Sequence, residues 1–233
     1  METELMDGAS LAASILEDTS RRSEAVARRL GRRPCLATVL VGDDPASATY
    51  VRMKQSRCRD GGIESRHVAL PESSRTAEVV NAVEVLSADE AVDGILVQHP
   101  VPAQVDERAV CEAIAPGKDV DGVTFSSFAS MALGGGVGFE SCTPGGIIRL
   151  LHHYEVGLAG AHAVVIGRSP ILGKPAGMLL LARDATVTYC HSKTRDLPNH
   201  VATADIVVAA VGIPNFVRGS WLKPGSVIID AGY

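Results

Sequence analysis

The sequence predicts an α/β protein made of two successive αβ units, the second of Rossmann type. Three observations carry this. Short apolar runs alternate with helix-like stretches along the chain, the pattern of parallel strands joined by crossover helices; Cys35–Val41 (CLATVLV), Asp93–Gln98 (DGILVQ) and Asp205–Ala210 (DIVVAA) are clear cases. One such run, Ala163–Ile166, ends at Gly167, and a second glycine, Gly173, opens a helix-like run six residues later. A glycine-rich break, Leu133–Gly138 (LGGGVG), lies between the halves. The expected organisation is a first αβ domain over 1–122, a linker over 123–140 and a second domain over 141–233.

Composition permits this and narrows the function. With 233 residues, 46% hydrophobic and 21% charged, the chain can bury a core in each of two small domains. A formal net charge of −5 without a basic block argues against a nucleic acid or an anionic membrane as partner. The arginine pairs Arg21-Arg22, Arg28-Arg29 and Arg32-Arg33 fall in or just after the first helix and read as its solvated face. The five cysteines include no C-x-x-C and are odd in number, which suits a reducing, cytoplasmic compartment. The start, METELMDG, has neither the basic residues nor the apolar core of a signal peptide. No apolar run approaches the roughly 20 residues that span a bilayer.

In the first half, Ser10–Leu30 reads as a helix closed near Gly31, and Cys35–Val41 as a buried strand ended by Gly42-Asp43-Asp44-Pro45. Ala46–Asp60 is helical, Glu64–Leu70 a strand, Thr76–Leu86 a helix, Asp93–Gln98 a strand and Val105–Ile114 a helix. In parallel sheets ligands collect at the carboxyl ends of the strands, so residues there are the candidates. Ser47, Tyr50 and Lys54 are spaced three and four apart and share one helical face. A phenol one turn from an ammonium can position or screen it, and a partly desolvated lysine can move protons near neutrality. The same spacing also fits an exposed lysine beside a half-buried tyrosine. Gln98 either points its amide into a site or caps its strand. Asp119 and Asp121, in Pro116–Gly122 (PGKDVDG), either bond their own turn or grip a heterocycle.

In the second half, Thr143 is expected to cap a helix over Gly146–Tyr154 with Pro144 as its first residue. The strand 163–166, the loop Gly167-Arg168-Ser169-Pro170 and a helix over 175–182 form a strand–turn–helix that could hold a phosphate. Ser169 stands where the usual G-x-G-x-x-G has its middle glycine, so the spacing alone fits a structural turn equally well. Strands follow at Ala185–Tyr189, Asp205–Ala210 and Ser226–Ala231. NAD enzymes place an acid on the ribose about 20 residues past the first glycine. Here that region reads Tyr189-Cys190-His191-Ser192-Lys193, with no acid. Ser192, with Lys193, Arg195 and Arg168, suits a 2′-phosphate and favours NADP. His191 has no second ligand nearby in sequence, and no metal is expected.

Seven segments together resemble the bifunctional methylenetetrahydrofolate dehydrogenase/methenyltetrahydrofolate cyclohydrolase family: Ser47–Lys54 (SATYVRMK), Asp93–Pro102 (DGILVQHPVP), Pro116–Gly122, Cys142–Gly146 (CTPGG), Val164–Pro175 (VVIGRSPILGKP), Ala185–Thr194 (ATVTYCHSKT) and Trp221–Gly232 (WLKPGSVIIDAG). They run in the family's order over nearly all of 30–232. The resemblance implies two αβ domains flanking a cleft, the second an NADP-binding domain, with folate lying in the cleft. It implies catalytic roles for Lys54, Tyr50 and Gln98, and folate contacts from Tyr50, Gln98 and Asp121. It implies cofactor contacts from Thr143, Gly167, Arg168, Ser169, Ile171, Gly173 and Ser192. It further implies oxidation of 5,10-methylenetetrahydrofolate with NADP, hydrolysis of the methenyl product to 10-formyltetrahydrofolate, a role in one-carbon metabolism and purine biosynthesis, and a cytoplasmic homodimer paired through the cofactor domains.

Two departures stand out. His99 follows Gln98 where the family usually has leucine. The family pattern also continues beyond the point where this sequence stops, through a loop that contributes to the folate site, so a folate- or NADP-binding protein with impaired turnover is the competing expectation. A short-chain dehydrogenase shares the Tyr50-x-x-x-Lys54 spacing, but its nucleotide loop precedes that pair, whereas here the loop follows it.

Overall fold

A computed structural model describes residues 3–232. The chain divides into two compact units, one formed by Asp7–Ser127 with Val137–Phe139, the other by Phe128–Gly136 and Glu140 onward with the N-terminal residues up to Met6. No helix among the described residues is long and apolar enough to cross a membrane.

The Asp7–Ser127 unit runs α1 (Gly8–Leu30), β1 (Cys35–Val41), α2 (Pro45–Asp60), β2 (Glu64–Leu70), α3 (Thr76–Ala88), β3 (Gly94–Val97) and α4 (Glu107–Glu112). Its sheet is parallel, in the order β2-β1-β3. The chain steps from β1 to one side and then returns to the other, so β1 and β3 meet at a topological switch point, where such sheets open a crevice at their carboxyl edge. Val39, Ile95, Val79 and Val83 are fully buried and form the core between sheet and helix α3. The third strand is shorter than the expected 93–98, although the Asp93 and Gln98 amides at its two ends still donate to the Cys35 and Val39 carbonyls of β1 at 2.9 and 2.8 Å. The Asp93 carboxylate accepts bonds from the Arg32 guanidinium (2.7 and 3.0 Å) and the Cys35 amide (2.8 Å).

The segment expected as a linker, 123–140, contains a helix, α5 (Phe125–Leu133). Its residues FSSFASMAL carry apolar side chains three apart at 125, 128 and 131. The Arg108 guanidinium lies 4.8 Å over the Phe125 ring. The neighbouring glycines mask this pattern in the sequence.

The second unit continues with α6 (Cys142–His153), β4 (His162–Ile166), α7 (Gly173–Leu181), β5 (Thr186–Cys190), α8 (Leu197–Ala202), β6 (Ile206–Ala209) and β7 (Val227–Asp230). Its parallel sheet has the order β5-β4-β6-β7, with the switch point at β4 and β6. Ala163 and Val165 face one core with Leu179, Leu180 and Leu151; Val164 and Ile166 face another with Val201 and Val207. Burial on both faces explains the unbroken apolar runs of β4 and β6. Helix α6 starts at Cys142, with Ser141 in the cap position. Thr143 therefore lies inside the first turn and is not the cap expected from the sequence.

Candidate active site

In the first unit, α2 leaves the carboxyl end of β1. The Asp44 carboxylate accepts from the Ser47 amide at 2.7 Å and Pro45 occupies the first turn, so the helix starts at a defined point. Ser47 is buried, Tyr50 is 47% exposed and Lys54 is half-buried. Gln98 follows β3, its amide N–H bonded to the Val39 carbonyl at 2.8 Å, and it is buried. The Lys54 ammonium donates to Gln98 Oε1 at 2.9 Å, and Gln98 Nε2 donates to the His99 carbonyl at 2.8 Å. A backbone carbonyl can only accept, so the NH₂ group must face it and Oε1 must face the lysine. Gln98 is therefore held with its acceptor toward Lys54. That bond uses one N–H of Lys54.

The two aspartates of Pro116–Gly122 separate. Asp119 is fully buried and accepts from the Val123 and Thr124 amides at 3.1 and 2.9 Å, so it builds the turn. A bridge between Ile95 and Asp119 sets this turn beside β3. Asp121 is half-buried, and its carboxylate makes no hydrogen bond among the described residues. A cavity of about 500 Å³ opens at the same end of the sheet, lined by residues 41–45, Glu72 and 100–102; Lys54 and Gln98 are not among its walls.

In the second unit the loop after β4 is built largely from backbone. Gly167 has φ 125°, and a Cβ there would collide with the Ala210 carbonyl. A Cβ on Gly173 would collide with the Gly167 carbonyl. Both glycines thus allow the loop to fold against the start of α7. The Ser169 hydroxyl accepts from the Leu172 and Gly173 amides at 3.2 Å and closes the turn into the helix. Its hydroxyl proton stays available to donate. Arg168, Ser169 and Ile171 are exposed. Gly167 donates to the Cys190 carbonyl at 2.8 Å, so the loop lies beside the end of β5. There the Thr194 hydroxyl accepts from the His191 amide and His191 Nδ1 from the Lys193 amide. This turn presents Ser192, Lys193 and Arg195 to solvent. Thr194 is a contributor the sequence reading overlooked; its signal was the H-S-K-T spacing of a hydroxyl-closed turn. Thr143 is exposed on α6. The arrangement fits a dinucleotide phosphate, with backbone close enough for approach and cations around it.

Both units are similar to known proteins. Residues 6–121 match the tetrahydrofolate dehydrogenase/cyclohydrolase catalytic domain, and residues 141–233 match the NAD(P)-binding domain of the same enzymes. The bifunctional protein FolD 1 of Salinispora arenicola is 62% identical over 233 residues, which are all of this chain and 83% of that protein. The crystal structure of the bifunctional dehydrogenase/cyclohydrolase FolD from Campylobacter jejuni superposes with a TM-score of 0.95 at 39% identity, covering 98% of this chain and 81% of that one. The Trypanosoma brucei enzyme, solved with NADP and an inhibitor, gives 0.94 at 34% identity, covering 100% of this chain and 80% of that one. The chain belongs to the tetrahydrofolate dehydrogenase/cyclohydrolase family.

Proposed function

We propose that the two reactions of this enzyme draw on its two sites unequally, with Lys54 the proton-moving group of the hydrolysis. The chain is a methylenetetrahydrofolate dehydrogenase and methenyltetrahydrofolate cyclohydrolase. In the first reaction the methylene bridge loses a hydride and becomes an amidinium cation; NADP, which the Gly167–Gly173 loop would hold, would supply the hydride acceptor. This step asks the protein for orientation rather than for a base. In the second reaction water adds to the cationic carbon and gives up a proton. The adduct then breaks one C–N bond: the departing nitrogen takes a proton, and the adduct's hydroxyl gives one up as the formyl C=O forms. These transfers need a group that accepts and returns a proton at one place.

Lys54 meets that need. The observation that carries the reading is its bond to the buried Gln98 amide, which holds the amine in place with an acceptor while leaving it half-buried. Tyr50, one turn earlier, stacks on or screens the folate ring, Gln98 orients both lysine and substrate, and Asp121 binds the pterin's N–H groups. Gly167 and Gly173 give the cofactor phosphates access to backbone, and Arg168, Ser169 and Ser192 hold them with Thr143 and Ile171 alongside. The acid-free, cationic end of β5 favours NADP over NAD. The enzyme acts as a cytoplasmic homodimer paired through the cofactor domain, supplying one-carbon units to purine synthesis.

Replacing Lys54 by Met tests the division. Hydrolysis of the methenyl compound should fall by about a thousandfold, the scale of a lost general acid–base. The dehydrogenase should keep a measurable fraction of its rate, with the Michaelis constant for NADP unchanged. Equal loss of both rates, with NADP binding intact, would refute the assignment.

A further inference from the structure

We propose that His99, braced by Glu107, is a positioning residue for the Gln98–Lys54 pair. The inference rests on the reading of Lys54 given above. Its starting point is an anomaly. Both ring nitrogens of His99 are sealed from solvent: Nδ1 lies 3.0 Å from Glu107 Oε1 but without the geometry of a hydrogen bond, and Nε2 has no hydrogen-bond partner among the described residues. Buried polar atoms in folded proteins are nearly always bonded, and an unbonded one costs stability. A leucine of similar bulk would fill the space without that cost. The ring nevertheless sits beside Gln98, whose amide oxygen accepts from the Lys54 amine.

The contacts form a continuous chain. The His99 carbonyl accepts the Gln98 NH₂ group at 2.8 Å, and Gln98 Oε1 accepts from Lys54 at 2.9 Å. On the other side, His99 Nδ1 approaches Glu107 Oε1 to 3.0 Å. Glu107 is the first residue of α4, which the Asp106 carboxylate caps through the Ala109 amide at 3.1 Å. A carboxylate in the first turn is favoured by the helix dipole, so Glu107 has a stable seat. The ring thus lies against the carboxylate of a capped helix, and the His99 carbonyl accepts the bond that sets which way the Gln98 amide faces. If that carbonyl turned away, the amide would lose the partner that separates its two ends. Its NH₂ group could then face Lys54, donor against donor.

The prediction separates activity from stability. Gln98 and Lys54 would remain present in His99→Leu, so the effect is on geometry and not on composition. The kcat of the cyclohydrolase should fall by about threefold to tenfold, the range for coupling within one hydrogen-bonded network. The Michaelis constants for folate and NADP should stay within about twofold, and the melting temperature should hold or rise because an unbonded buried group has been removed. Glu107→Gln, at a half-exposed position that should fold normally, should lower the same kcat in the same direction. The double variant should be no worse than His99→Leu alone, since both act through one ring. An unchanged cyclohydrolase kcat in both single variants would overturn the proposal, as would additive losses or a fall in kcat matched by a fall in melting temperature. Lys54→Met, assayed in parallel, keeps the two readings apart. If it retains hydrolysis, the assignment of Lys54 fails; if it abolishes hydrolysis while His99→Leu is silent, the His99 proposal alone fails.

Discussion

The two sheets share a frame and differ in what they attach to it. In the first, Asp93 stands just before β3 and accepts the amide of Cys35, the first residue of β1, while pairing with Arg32. In the second, Asp205 stands just before β6 and accepts the amide of His162, the first residue of β4, while pairing with Lys223. The same device clamps the amino edge of each switch point. At the carboxyl edges the likeness ends. The first sheet presents side chains, Lys54 on Gln98, placed by burial and by one bond of 2.9 Å. The second presents backbone, a loop folded so closely at Gly167 and Gly173 that no side chain fits. Proton transfer needs a titratable group at a defined point, whereas phosphate binding needs several N–H donors and room to approach them.

This contrast is open to a direct challenge. The loop should tolerate little change at its glycines and more at its charges. In Gly173→Ala the added methyl group meets the Gly167 carbonyl and pushes the loop from the helix end. A displacement of about 1 Å is worth about a hundredfold, so the dissociation constant for NADP should rise by that order. Fluorescence titration would measure it, with circular dichroism confirming the fold. Retained affinity would mean the backbone does not form the phosphate seat. Arg168→Ala removes one exposed charge and leaves the loop closed by Ser169. The Michaelis constant for NADP should rise about tenfold, the scale of one charged hydrogen bond, with little change for NAD. An equal rise for both cofactors would move Arg168 off the 2′-phosphate.

The frame is legible in the sequence because it is periodic and apolar. β1 and β2 fall where the residue pattern puts them, at Cys35–Val41 and Glu64–Leu70. What escaped was decided by contacts and burial that the residue pattern does not carry. Asp93 looks like the first residue of a strand, and its amide does bond the Cys35 carbonyl, but what its carboxylate does, bonding Arg32 and the Cys35 amide 61 and 58 residues away, is not in the pattern. Thr143 looks like a cap until the helix begins one residue before it. Asp119 and Asp121 look alike in Pro116–Gly122, and only burial separates the turn-builder from the unbonded carboxylate. Helix α5 was hidden because its glycine-rich neighbourhood spoke for the whole segment. Lys54 and Gln98 could each be picked out, yet the 44-residue separation that their bond spans is a property of the β1–β3 pairing.

The smallest expected effect tests whether the two amino-edge clamps are the same device. The Arg32 guanidinium beside Asp93 holds that carboxyl below its ordinary range, and the Lys223 ammonium beside Asp205 does the same there. A carboxyl whose folded pKa is lowered adds stability that is fully present above its unfolded value, about 3.9. The contribution is lost as pH falls through the folded value, because the folded state must then take up a proton it holds less readily than the unfolded one. Asn cannot titrate, so Asp93→Asn should lower stability at pH 7 by about 1 kcal/mol, the modest figure proper to a partly exposed pair. Asp205→Asn should act in the same direction. Urea midpoints at pH 7, 5 and 3 would measure both. The gap from the unaltered protein should hold between pH 7 and 5 and narrow at pH 3 in each variant. A gap that narrows for Asp93→Asn but not for Asp205→Asn would mean that the second clamp works through the shape of its bond to the His162 amide rather than through charge.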